Sequence, residues 1–307
     1  MPTQLQHEPS SQTVLVIGAT GYIGQVVTEH LVARGHQVIA LTRPGFPDSD
    51  LPAGVTARVG DLTEPASLGP AVTPEVDAVV NLATPSGDES VDSAAAAALL
   101  APLEGTGRAY VYASGVWVLG PSHGSVQDES TPTNPLDIVG YRPRIEQQVL
   151  GAASRGVRSV VVRPGIAHGR AGGIPALLVS LAAQHGAGLY VGEPARWPMV
   201  HVEDLADRFV AAVEGADPGA LLHAVAEQGV DTTEIAAAAA AAAGVDLVRS
   251  WPLPEAAGAL GAPFAQALAC DQVVSAAVTA GRLGWSPSRP GVLVELRHGS
   301  YGAADAA

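Results

Sequence analysis

The sequence predicts a doubly wound parallel α/β domain over residues 13–165, followed by a smaller α/β substrate-binding lobe over 166–307. Three observations point there. Short β-branched runs alternate with helix-like segments from Val14 onward, and these runs are apolar almost without interruption, as strands covered on both faces by helices must be. Glycines also stand at 18, 21 and 24, where the first run meets the first helix. The expected strands are 14–17, 37–41, 55–59, 76–82, 109–113 and 159–163. Between the first two, Tyr22–Ala33 places Ile23, Val26, Val27 and Leu31 on one face of a helix and stops before Gly35, a residue suited to a left-handed helix end. Past Arg163 the pattern loosens into a glycine-containing loop at 165–173, helices, and isolated short strands at 199–202 and 220–225. Asp231 followed by Glu234 reads as a capping box, which makes the alanine run 236–243 a helix and not a linker. The polar stretch 1–12 reads as a disordered tail, and 302–307 as frayed.

Composition narrows the function classes. The 307 residues carry 16 Lys and Arg against 30 Asp and Glu, a net charge of −14 that opposes binding to phosphate backbones or anionic membrane surfaces. No nucleic-acid or membrane partner is expected. The lone Cys270 has no internal disulfide partner and the N-terminal segment lacks the pattern of a secretory signal, so a cytoplasmic location is expected. The expected partner is a small molecule, and a homodimer is one assembly open to such a chain.

The segment VLVIGATGYIG carries the strongest chemical signal. Gly18 permits a tight turn, Gly21 lets backbone approach a pyrophosphate, Gly24 lets helix and strand pack closely, and the helix N-terminus offers free N–H groups to an anion. The end of the second strand discriminates between dinucleotides. An acid there bonds a ribose 2′-hydroxyl, whereas here Thr42 and Arg43 precede Pro44, and Arg43 is placed to neutralise a 2′-phosphate. NADP is therefore expected over NAD, which remains possible. Asp61, in Gly60-Asp61-Leu62 after the third strand, stands either near an adenine amino group or as a simple turn cap.

These motifs, with NLA at 81–83, RPG at 163–165, VHVEDLA at 200–206 and LGWSP at 283–287, resemble the extended short-chain dehydrogenase/reductase superfamily in its NAD-dependent epimerase/dehydratase branch. The resemblance covers most of residues 13–300. It implies a Rossmann fold and an NAD(P) site formed by Gly18, Thr20, Gly21, Tyr22, Ile23, Gly24, Arg43, Asp61, Leu62, Leu82, Ala83, Arg142 and Pro164. Asn81, Leu82 and Ala83 would line the nicotinamide side.

The catalytic positions depart from the family. Its Ser or Thr after the fifth strand falls on Gly115, with Ser114 one residue earlier, and its Tyr-x-x-x-Lys pair is absent. Aligning the next helix on Glu146 puts Arg142 in the Lys position and Ile138 in the Tyr position; aligning on Tyr141 puts Ile145 where Lys belongs. A guanidinium there can bond ribose hydroxyls as a permanent cation but does not exchange protons. Replacement proton donors are Tyr141, whose phenol neighbouring cations would activate, Ser114, and His168, whose imidazole ordinarily titrates near neutrality. Two of them have a bland alternative: Tyr141 packing on a loop, His168 as a surface side chain. His201 reads as structural, and Trp117, Tyr190 and Trp197 are either pocket walls or core. No metal-ligand spacing and no nucleophile elbow is present. The expected activity is an NADP-dependent oxidoreductase acting on a carbonyl/alcohol or imine/amine of a small, fairly apolar metabolite. The alternatives are a redox-neutral epimerase, isomerase, dehydratase or cyclase of the same fold, and a nucleotide-binding protein without turnover.

Overall fold

The computed structural model describes residues 11–302. In chain order its elements are β1 (Thr13–Ile17), α1 (Tyr22–Ala33), β2 (Gln37–Thr42), β3 (Val55–Val59), β4 (Ala78–Asn81), α2 (Glu89–Leu100), β5 (Ala109–Ala113), α3 (Arg142–Gly151), β6 (Arg158–Pro164), β7 (Ile166–His168) and α4 (Gly173–His185). They continue with β8 (Gly188–Val191), β9 (Arg196–His201), α5 (Val202–Gly215), β10 (Ala220–Ala224), β11 (Glu227–Asp231), α6 (Thr232–Ala242), β12 (Val248–Trp251), α7 (Leu253–Leu260), α8 (Ala262–Leu268), α9 (Ala277–Leu283) and α10 (Val292–His298).

Seven parallel strands form the main sheet in the order β3-β2-β1-β4-β5-β6-β10. Residues of alternate parity enter two separate cores, because successive side chains of a strand point to opposite faces. Val14 and Val16 pack with Val26, Val27 and Leu31 of α1 and with Leu205 and Phe209 of α5. Leu15 and Ile17 pack with Leu99 of α2 and with Ile145 and Val149 of α3. All of these side chains lie at or below 2% exposure, so both faces of the sheet are sealed. The first helix runs over the residues expected, with Gly21 as its N-cap and Gly35 at φ 85° just past its end.

The strands 55–59 and 109–113 match their expected bounds, and the other four shift by one or two residues at one or both ends. The six-strand count is corrected. The run at 220–224 is not an isolated strand of the lobe but the seventh strand of the main sheet, paired with β6 from Ala220 opposite Val160 to Ala224 opposite Pro164. The main domain thus draws a strand, and the α5 face that covers it, from beyond residue 165, and the lobe is partly an insertion between β6 and β10. The lobe holds two further small sheets, β11-β9-β7 and the pair β12-β8, around a core with α4 and α6. The edge of β10 is closed by α9: the His223 backbone N–H donates to Thr279 Oγ1 at 2.9 Å. Asp231 caps α6 by accepting from Thr233 N at 2.7 Å.

Most of the expected 1–12 tail and the end of the 302–307 segment lie outside the described residues. Ser11 and Gln12 are not loose: Ser11 Oγ donates to Gly35 O, and the Gln37 N–H donates to Gln12 O. Among the described residues no helix is long and apolar enough to cross a membrane.

The ion pair Arg163–Glu146 joins β6 to α3, with both side chains under 5% exposed and a bidentate contact of 2.9 and 2.5 Å. Removing one partner strands the other charge in the interior. Glu146→Ala is expected to lower the unfolding free energy by about 3–5 kcal/mol in urea titration, whereas Glu146→Met with Arg163→Met, which removes both charges, recovers most of the loss.

Candidate active site

The glycine loop sits at the carboxyl end of the sheet, where strand order reverses between β1 and β4. Gly18 has φ 81°, and a Cβ there would lie 3.0 Å from Ala83 N and the Leu82 carbonyl group. The first glycine is therefore pressed against the end of β4. A Cβ on Gly24 would fall 1.8 Å from Gly18 O, so α1 starts directly on the turn. Gly21 N donates back to Gly18 O at 3.0 Å, and no acid stands in the first turn of α1. The N–H groups of Tyr22, Ile23 and Gly24 belong to that first turn, whose donors have no intrahelical acceptors. Thr20 and Gly21 are exposed beside them. This cradle suits a pyrophosphate.

At the end of β2, Arg43 is exposed. Asp61 Oδ1 accepts from Thr63 N at 2.9 Å and Thr63 Oγ1 at 2.8 Å, and those bonds hold the carboxyl below its ordinary range. Of the two readings of Asp61, the turn cap is the one these bonds make. Leu62 and Ala83 border a small recess with Asn81, Asp92, Tyr112 and Ile145. Asn81 Nδ2 donates to Tyr110 Oη at 3.1 Å, Asn81 Oδ1 accepts from Ala83 N at 3.2 Å, and Leu82 N donates to Ile17 O at 2.9 Å, so this segment is rigid.

A cavity of about 270 Å³ opens beside the loop. Tyr22 and Ile23 form one wall, Ser114 to Trp117 another, Arg142 and Val139 a third, and Pro164 to Ala167 with Gly173 and Ile174 the rest. Its lining is mainly apolar. Trp117 meets Phe264 of α8 edge-on, with centroids 6.3 Å apart. Two polar atoms stand out: Ser114 Oγ and Arg142 Nε are buried without a hydrogen-bond partner. Arg142 lies over the Tyr112 ring at 5.8 Å, donates from Nη2 to Ala113 O at 3.2 Å, and brings Nη1 to 3.9 Å from where a Cβ on Gly115 would be. A Cβ at 115 would make an ordinary van der Waals contact with the guanidinium.

Of the three expected proton donors, only Ser114 reaches this cavity. Tyr141 is turned the other way: its hydroxyl donates to Asp92 Oδ2 at 2.5 Å and accepts from Gly87 N at 3.1 Å. Burial and the Asp92 carboxylate push the phenol up to about 12, the opposite of activation. The cations meant to activate it are engaged elsewhere, Arg144 by Glu89 and Arg142 by Ala113 O and the Tyr112 ring. His168 is also corrected. It is fully buried, edge-on to His201 at 5.2 Å, with neither ring nitrogen bonded, and burial pulls its pKa down to about 3. It is a neutral core imidazole. His201 caps α5, its Nδ1 accepting from Glu203 N at 3.2 Å. Among the expected aromatic walls only Trp117 lines the cavity; Trp197 is core, donating from Nε1 to Leu268 O at 3.1 Å.

The sequence reading missed Gly115, Val139, Ile166, Ala167, Gly173 and Ile174 as walls of the cavity. The 165–173 loop was the one available signal. It is sharply bent: Arg170 and Ala171 both have positive φ, 50° and 52°, a conformation that costs about 1–3 kcal/mol per non-glycine residue.

The buried His168 links stability to pH. Its folded pKa lies below the ordinary imidazole value, so as pH falls through about 6.5 the unfolded chain takes up a proton that the folded chain refuses until about 3. Stability conferred by this group is complete above 6.5 and is lost at up to ~1.4 kcal/mol per pH unit below it. Replacing the imidazole, as in His168→Leu, is expected to flatten urea-derived stability between pH 6.5 and 4 relative to the wild type.

Residues 14–226 match the model of the NAD dependent epimerase/dehydratase family. An uncharacterized protein of Schizosaccharomyces pombe is 30% identical over 94% of this chain and 99% of its own length. The human epimerase family protein SDR39U1 is 30% identical over 75% of this chain and 80% of its own. The crystal structure of its isoform 2 with NADPH superposes with a TM-score of 0.75 at 25% identity, covering 94% of this chain and 99% of that one. A UDP-glucose 4-epimerase from Thermotoga maritima, solved with UDP-glucose, shares the fold at TM-score 0.76 and 15% identity over 94% of this chain and 97% of that one. With its glycine cradle, its sheet order and this match over most of the chain, the protein belongs to the NAD dependent epimerase/dehydratase family.

Proposed function

We propose that this protein is an NADP-dependent oxidoreductase for a small, apolar carbonyl/alcohol or imine/amine substrate, with Ser114 and Arg142 at its reacting centre. The observation that carries the reading is the pair of buried, unpartnered polar atoms, Ser114 Oγ and Arg142 Nε, in one apolar cavity next to the glycine cradle. Buried donors without partners are costly, and a ligand in the cavity would satisfy them.

The cofactor site fits the phosphorylated dinucleotide: free N–H groups open α1, and the exposed Arg43 stands where a 2′-phosphate is read. That the related human SDR39U1 was crystallised with NADPH supports the same choice. When bound, the nicotinamide supplies or accepts the hydride. The chain's own residues bind and polarise the substrate. Ser114 Oγ–H is positioned to donate to the substrate oxygen or nitrogen, and the Arg142 guanidinium stabilises negative charge that develops there. Arg142 is a fixed cation and cannot be the proton's source, so the proton passes through Ser114 Oγ from solvent. Neither Tyr141 nor His168 takes part.

Cavity size favours a small substrate. About 270 Å³ lies just under the ~300–1,000 Å³ typical of ligand pockets, and the lining offers one cation for a second charged group to meet. A nucleotide sugar needs more room and more donors.

NADPH oxidation against a panel of short aldehydes, ketones and cyclic imines tests the assignment. Turnover is expected with NADPH, and a panel that yields product without net NADPH oxidation would favour the redox-neutral reading. Ser114→Ala is expected to lower kcat about 10²-fold or more with cofactor binding retained. Tyr141→Phe should leave kcat within a few fold of the wild type. Arg43→Ala is expected to weaken NADPH by about 1–3 kcal/mol, as for a lost charge-assisted contact, and to leave NADH nearly unchanged by calorimetry.

A further inference from the structure

The loop 169–173, between β7 and α4, forms part of the cavity wall through Gly173 and, besides its own turn bond from Gly172 N to Gly169 O at 3.1 Å, is bonded by side chains from two distant places. One is the chain's C-terminal end. Tyr301 Oη accepts from Gly169 N and donates to Gly172 O, each at 2.7 Å, and Ser300 Oγ accepts from Ala171 N at 2.7 Å. Ser300 is itself held by Glu295 of α10, whose carboxylate accepts from its N–H at 3.0 Å and its hydroxyl at 2.7 Å. The other is the glycine cradle. Tyr22 Oη donates to Gly169 O at 2.8 Å, and its ring lies so close beneath the loop that a Cβ on Gly172 would fall 2.2 Å from Cε2.

These bonds meet a loop that would not hold its shape alone. Two consecutive non-glycine residues, Arg170 and Ala171, sit at positive φ, and such conformations persist only where surroundings over-determine them. The Arg170 side chain is tied outward, its Nε to Glu203 and Nη1 to Glu29, each at 2.6 Å, which leaves the peptide bond after it on the surface. The phenol of Tyr301, buried and pushed up to about 12, stays protonated, so it can accept from Gly169 and donate to Gly172 at once.

We propose that Ser300 and Tyr301 are positioning residues that clamp the 169–173 loop against the cavity, and that Tyr22 couples this loop to the dinucleotide cradle, so that a bound dinucleotide stiffens the substrate wall through the Tyr22–Gly169 hydrogen bond. The coupling rests on the cofactor reading above. The clamp does not, because its bonds are made by the protein alone. Tyr22 is suited to the task by place: it is the first residue of α1, beside the N–H groups that face a pyrophosphate, and it also lines the cavity.

Limited trypsin digestion of the full chain, with cleavage after Arg170 followed by mass spectrometry, reads both parts. Tyr301→Phe keeps the ring and loses both loop bonds; it is expected to be cut after Arg170 at least tenfold faster than the wild type, with the cut after Arg249 in β12 unchanged. Cleavage at the wild-type rate would overturn the clamp. Saturating NADPH is expected to slow the Arg170 cut in the wild type and in Tyr301→Phe but not in Tyr22→Phe, with occupancy checked by nucleotide fluorescence. Full protection of a loaded Tyr22→Phe protein would overturn the coupling. If that variant fails to load, Gly172→Ala, which drives a methyl into the Tyr22 ring, takes its place with the same expected loss of protection. A wild type that binds no NADPH overturns the cofactor reading and the coupling together, while the cofactor-free comparison of Tyr301→Phe still decides the clamp.

Discussion

The close approach of Gly24 to the Gly18 carbonyl is the constraint on which the site depends. With room for no Cβ at 24 and a positive φ at 18, α1 begins on top of the turn that ends β1, and that turn lies against the Leu82–Ala83 backbone. The helix N-terminus is thereby aimed at the crevice between the two halves of the sheet. Ser114 at the end of β5 and Pro164 at the end of β6 open into the same crevice, since parallel strands deliver all their carboxyl ends to one side. A side chain at 24 would push the helix off the turn and take the N–H cradle with it. The same packing sets Tyr22, the first residue of α1, between the cradle and the cavity wall.

The electrostatics are local departures from an acidic chain. With a net charge of −14, an anionic cofactor is attracted only where cations and backbone donors are gathered, and Arg43, Arg142 and the first turn of α1 supply them. The cavity beside the glycine loop sets the Ser114 hydroxyl and the Arg142 guanidinium in a mainly apolar lining. There a fixed positive charge acts strongly, because little water screens it.

Much of the fold was legible because continuous apolar runs and glycine punctuation are local signals. The runs at 55–59 and 109–113 and the helix Tyr22–Ala33 are read correctly from their own residues. The seventh strand was visible as a run at 220–225 but not as part of the main sheet, because its pairing with β6 spans the long insertion that carries β7, β8 and β9. The cofactor loop was legible for the same reason the strands were. Ser114 and Arg142 were also named from their positions in the chain, but the surroundings of Tyr141 and His168 were not legible. Whether Tyr141 faces the cavity or Asp92, and whether His168 is wet or buried, depends on which neighbours three separate segments bring to it, and periodicity carries no trace of that. Tyr301 was passed over because it stands next to residues that read as a frayed end, although its hydroxyl is among the best-bonded in the protein.

The most direct measurement is a crystal structure of the protein grown with NADP+. The account predicts that the pyrophosphate lies on the first-turn N–H groups of α1, that Arg43 meets the 2′-phosphate, and that the nicotinamide enters the 270 Å³ cavity with Ser114 Oγ and Arg142 within hydrogen-bonding reach of the reacting region. A nicotinamide ring directed away from that cavity, with Ser114 Oγ still unpartnered, would contradict it.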